Sequence, residues 1–76
     1  EENKYNEYIL TRLRTKWGIS PMEIKKRFGV DISEIFESES KMGNVELNEH
    51  NHIVLSQQGK LIADNVSLAF IQATGD

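Results

Sequence analysis

The sequence predicts a small α+β fold, mainly helical with one β-hairpin. Three observations point to it. Apolar residues recur at helical spacing between glycines at positions 18, 29 and 43. Val45 and Leu47, then Ile53 and Leu55, alternate with other residues at strand spacing. An apolar-rich stretch follows Ser56 and runs towards the end of the chain.

Residues 4–17 read as a helix, because Tyr5, Ile9, Leu13 and Trp17 recur every fourth residue, with Tyr8 and Leu10 widening the stripe. Gly18 supplies the stop, and Arg14 and Lys16 suit the negative end of the helix dipole. Ser20-Pro21-Met22-Glu23 is a helix start, with Ser20 as cap, Pro21 at the first helical position and Glu23 completing a capping box. That short helix ends at Gly29, and its apolar residues are Met22, Ile24 and Phe28. Asp31 opens a third helix, with Glu34 as a second capping box and Ile32, Ile35 and Phe36 as the buried face. It ends near Gly43.

The hairpin turn, Glu49-His50-Asn51, lacks the Asn-Gly pair of a two-residue loop, so a longer loop is expected. Ser56 caps a last helix over about 57–72, apolar over more than half its circumference through Leu61, Ile62, Val66, Leu68, Ala69, Phe70 and Ile71. Asn65 falls inside that arc, which calls for a backbone hydrogen-bond partner. Three helices, a two-stranded wing and a closing helix form the winged-helix pattern.

The chain has 76 residues, room for one domain over 1–76. At 38% hydrophobic it is too apolar for a disordered segment. Cysteine is absent, which excludes disulfides, thiolate zinc sites and thiolate-held iron–sulfur clusters within this chain. No apolar run reaches the roughly 18 residues of a membrane span. The sequence starts Glu1-Glu2-Asn3 and closes Thr74-Gly75-Asp76, and we expect a piece cut from a longer protein.

Net charge is −3, unevenly distributed: residues 1–29 hold seven basic and four acidic residues, and 30–76 hold two basic and eight acidic. Nucleic acid is not an expected partner. The third helix, which would enter the major groove, carries Asp31, Glu34, Glu37 and Glu39 against Lys41 alone, and the wing carries Glu46 and Glu49. Carboxylates beside phosphates oppose the counterion release that drives such binding. The cluster Lys25-Lys26-Arg27 lies on the second helix, the wrong element for base readout.

His50 and His52 are a candidate metal or haem ligand pair, two residues apart and so on one face of a strand. A closed zinc site needs four ligands, and only Glu46 and Glu49 are near in sequence, so a solvated turn is the simpler reading. Met22, Met42 and Trp17 are expected as core, and Asp64 as exposed. No motif of nucleophilic, metallopeptidase or phosphate-loop type occurs.

Three segments in order carry a family resemblance. They are Glu7-Tyr8-Ile9-Leu10-Thr11-Arg12-Leu13-Arg14 with Gly18-Ile19-Ser20; Arg27-Phe28-Gly29; and Val54-Leu55-Ser56, Gly59, Leu61 to Val66, and Phe70-Ile71. This succession resembles the C-terminal domain of the oxygen-independent coproporphyrinogen III oxidase family, which includes HemN oxidases and HemW-like haem chaperones. The resemblance implies a cytoplasmic radical S-adenosylmethionine protein. Its catalytic barrel would lie upstream in the same chain, with a CxxxCxxC motif holding a 4Fe–4S cluster. The oxidases decarboxylate two propionates of coproporphyrinogen III to give protoporphyrinogen IX; the HemW-like members bind haem and hand it on. The form with a helix after the Asn looks closer to the HemW-like branch.

No catalytic or cofactor-binding residue is carried over to this chain. A packing or lid role towards the barrel is expected. Arg12, Arg14, Lys25, Lys26 and Arg27 are candidate contacts for porphyrin propionates, against the alternative of a solvated basic face. A free-standing winged-helix interaction module is the competing class.

Overall fold

The computed structural model describes residues 2–72. Five helices and one antiparallel hairpin follow in the order α1 (Glu2–Arg12), α2 (Pro21–Phe28), α3 (Ser33–Lys41), β1 (Val45–Leu47), β2 (Ile53–Leu55), α4 (Gln57–Leu61) and α5 (Ala63–Ile71). The α+β expectation holds, and the wing follows the third helix. The strands pair Val45 with Leu55, Glu46 with Val54 and Leu47 with Ile53.

The core takes Tyr5, Tyr8, Ile9 and Leu13 from the first segment, Ile24 from α2 and Ile32 from the turn before α3. Val45, Ile53 and Leu55 of the hairpin and Val66 and Phe70 of α5 complete it, with Ile19 beneath the wing.

α1 ends earlier than its stripe suggests. The Thr15 N–H and hydroxyl both donate to the Arg12 carbonyl, at 3.0 and 2.8 Å, which closes the helix in a tight turn. The chain must turn there because Ile19 bridges to Ile53, exchanging two backbone hydrogen bonds of 2.9 and 2.8 Å. Gly18 makes that approach with φ of 71°, its Cα against the Ile53 carbonyl where no side chain fits. Trp17, expected in the core, is therefore 59% exposed.

Ser20 caps α2 as expected, accepting from Glu23 N at 3.2 Å, and Gly29 ends the helix in the left-handed region. The reciprocal half of the capping box is not made. The Ser20 N–H donates instead to the Tyr8 hydroxyl, and the Glu23 carboxylate serves Tyr8 and Arg27. The box expected at Asp31 and Glu34 also does not form. Ile32 occupies the cap position, and Asp31 accepts from Ser33 N and Oγ just outside the helix.

Met22 and Met42 are corrected from core to surface, Met22 at 81% exposure. Glu39 moves the other way. Its carboxylate is buried and accepts a 2.9 Å bond from Asn44 Nδ2, so it is not among the solvent-facing acids of α3. Leu10 and Leu47, read as inward, are largely exposed.

The single helix expected over 57–72 is broken at Ile62, whose φ of −124° and ψ of 41° are not helical. Two anchors account for the break. Ser56 caps α4 by accepting from Gly59 N at 3.0 Å and fastens it to the turn between α3 and β1 by donating to the Gly43 carbonyl. Gly59 lies so close to the Asn44 carbonyl that a Cβ would overlap it. α5 must meanwhile pack against α1 and α3. The break turns Leu61, Leu68 and Asn65 out of the core that the uninterrupted helix assigned them.

Candidate functional site

α1 and α2 bring two of the five basic candidates together. Arg12 holds its guanidinium carbon 5.4 Å from the Tyr8 ring centroid, and Arg27 holds its own 5.8 Å from the same ring. Arg27 also lies 5.0 Å over Phe28. The Tyr8 and Phe28 rings stand 5.8 Å apart, tilted at 53°, so the cations rest on an aromatic floor anchored in the core.

Glu23 organises this floor. It accepts from the Tyr8 hydroxyl at 3.3 Å through one oxygen and from Arg27 at 3.0 Å through the other. The Arg27 bond holds the Glu23 carboxyl below its ordinary range, and burial pushes the Tyr8 hydroxyl above its own. An open groove of about 400 Å³ runs over the cluster, lined by Lys4, Glu7, Tyr8, Thr11, Arg12 and Arg27.

The other basic candidates lie apart from the Tyr8 ring. Arg14 forms an ion pair with Asp64 and lines a groove of about 550 Å³ with Leu55, Lys60, Leu61, Ile62, Ala63 and Asn65. Asp64 is exposed, as the sequence suggested. Lys25 sits near Asp31, whose carboxyl is lowered chiefly by its two bonds from Ser33 and less by this lysine. Lys26 is exposed on α2.

His50 and His52 occupy the wing loop, their ring centroids 6.2 Å apart. Asn48 builds that loop, accepting through Oδ1 from the backbone N–H of His50 and His52 and donating through Nδ2 to the Lys16 and Trp17 carbonyls. His52 Nδ1 lies 3.0 Å from the Trp17 carbonyl, an acceptor, so Nδ1 carries the proton. His50 faces Glu49 at 3.5 Å. Among the described residues no group of three or more His, Asp or Glu converges to hold a metal ion. Cysteine is absent, so a thiolate-held cluster has no ligands in this chain.

Three participants escaped the sequence reading. Lys4 and Tyr8 line the α1–α2 groove, and their signal was the every-fourth-residue series Lys4, Tyr8, Arg12 on one face of α1. Lys60 lines the Arg14 groove, and nothing local in the sequence marks it.

No helix among the described residues is long and apolar enough to cross a membrane. No curated protein and no solved structure matches the chain. The model of the HemN C-terminal domain matches residues 1–69, all three segments of the resemblance but for the last residues of the third. With nearly its whole length matched, the chain belongs to the HemN C-terminal domain family.

Proposed function

We propose that the chain is the C-terminal accessory domain of a longer, cytoplasmic HemN-like radical S-adenosylmethionine protein. Its reaction is the decarboxylation of coproporphyrinogen III to protoporphyrinogen IX, and its cluster and S-adenosylmethionine belong to the preceding barrel. The observation that carries this reading is the family match over residues 1–69.

The surface supports a packing role. Leu61, 85% exposed, and Ile62 line the Arg14 groove, and Leu68 of α5 is 50% exposed. Leu10, on the last turn of α1, is a further exposed apolar side chain. Apolar side chains around an Arg14–Asp64 pair and Lys60 suit a domain interface, more polar than a core and with an apolar centre. The preceding domain of the same chain is the proposed occupant.

The test is an anaerobic assay of the longer protein with its cluster reconstituted, with and without this domain. Conversion of coproporphyrinogen III that falls when the domain is removed supports the reading. Stable haem binding without decarboxylation reassigns the domain to a HemW-like chaperone. Absence of both activities leaves the interaction module, and the enzyme reading fails.

A further inference from the structure

We propose that the groove between α1 and α2 is an oxyanion-binding site, in which Arg12 and Arg27 grip a carboxylate or phosphate group above the Tyr8 ring. The proposal stands on the geometry of this groove and holds whatever reaction the longer protein performs.

Three features distinguish the groove from an ordinary solvated basic face. The first is convergence from two helices. Arg12 comes from α1 and Arg27 from α2, and both guanidiniums lie within 6 Å of one ring. Surface arginines spread to lower their mutual repulsion unless something holds them. Here the ring quadrupole holds both, and the planar guanidinium loses less freedom when it rests on an aromatic face.

The second feature is a built support. Glu23 binds the Tyr8 hydroxyl and Arg27 at once, and the Tyr8 oxygen also accepts from the Ser20 N–H at 3.1 Å, at the cap of α2. The helix cap, the tyrosine, the glutamate and Arg27 therefore form one connected unit. Arg27 spends one of its five N–H donors on Glu23, at Nη1, which leaves four for a ligand.

The third feature is an excess of positive charge. Arg12 pairs with no carboxylate among the described residues, and Lys4 is exposed one turn before Tyr8. The groove lining carries Lys4, Arg12 and Arg27 against Glu7, with Glu23 beneath it bound to Tyr8 and Arg27. Two guanidinium forks suit oxyanions because each can donate a parallel pair of N–H bonds to two oxygens. Carboxylate and phosphate share that chemistry.

Citrate and inorganic phosphate are the probes, each titrated into the isotopically labelled protein at constant ionic strength. The readouts are the Arg12 and Arg27 side-chain N–H resonances and the Tyr8 ring resonances. Saturable shifts at millimolar probe, confined to these groups, are expected. Saturation by citrate alone assigns the site to carboxylates, and saturation by phosphate alone assigns it to phosphates; either supports an oxyanion site. R12Q and R27Q should each weaken binding at least tenfold, while K41Q, at the far end of α3, leaves it unchanged. R12K keeps the charge without the fork and should also weaken binding, which separates recognition from bulk electrostatics. Shifts that stay linear, that sodium chloride reproduces, or that survive R12Q and R27Q would overturn the proposal.

Discussion

The Tyr5 hydroxyl donates a 2.7 Å hydrogen bond to the Phe70 carbonyl, joining α1 to α5 across 65 residues of sequence. The bond is buried, and the Tyr5 ring meets Phe28 edge-on at 5.3 Å. Tyr5 thus connects the first, second and last helices. Tyr5→Phe keeps the ring and removes one of the bonds to this carbonyl, so it should cost about 1 kcal/mol in chemical denaturation.

Burial of the same hydroxyl gives the fold an alkaline limit. Burial pushes the Tyr5 hydroxyl up to about 12 from 10.0. A raised value means that the folded state keeps its proton while the unfolded chain has lost it. Stability is full below pH 10 and falls as pH rises towards about 12. The loss over that window is roughly 2 to 3 kcal/mol. Thermal melts across the range should show the decline in the native protein and a flatter curve in Tyr5→Phe.

At the acid end the sign reverses. The Arg27 bond depresses the Glu23 carboxyl, so its contribution is present above the ordinary glutamate value of about 4.3 and fades as pH falls through the folded value. Glu23 is more than one-third exposed, so the effect is modest. Glu23→Gln should lower the melting temperature near neutrality and flatten the acid limb, read by circular dichroism from neutral pH downwards. It should also loosen Arg27 over Tyr8, visible as a shift of the Tyr8 ring resonances.

Gly59 tests the account of the broken helix. An alanine Cβ there overlaps the Asn44 carbonyl, whose oxygen also accepts from Ser56 N at 2.9 Å. Gly59→Ala should destabilise by about 1 to 3 kcal/mol despite the better helix propensity of alanine. A stabilised variant would mean that α4 does not seat on the turn before β1 as described.

Much of this architecture is legible in local signals. Ser20 and Gly29 bracket α2 because their cap bonds close within a few residues. The hairpin register follows the alternation at Val45, Leu47, Ile53 and Leu55, although Leu47 faces out at its end. What local signals miss is set by distant partners. Trp17 continues a perfect helical stripe, yet the Ile19–Ile53 bridge pulls the chain out of the helix before it. The break at Ile62 depends on Gly59 meeting Asn44, which no helical periodicity encodes. Of the candidate site, Arg12 and Arg27 were visible as charges, but their meeting over Tyr8 is a product of how α1 and α2 pack.

The exposed leucines separate folding from docking. Leu61→Ser should change stability by no more than about 0.5 kcal/mol, because its side chain lies largely in solvent, and Leu68→Ser, half-buried, by no more than about 1 kcal/mol. Phe70→Ala, fully buried two residues after Leu68 on α5, should cost about 3 to 5 kcal/mol. Denaturant midpoints of the three variants give the comparison.

The most direct test of an accessory domain packed on a preceding one is hydrogen exchange on this chain alone and within the longer HemN-like protein. The account predicts added protection over residues 60–69 and 8–14, around Leu10, Arg14, Leu61 and Leu68, with the double serine variant losing it. Identical exchange in the two contexts would contradict the docking face and the packing role built on it.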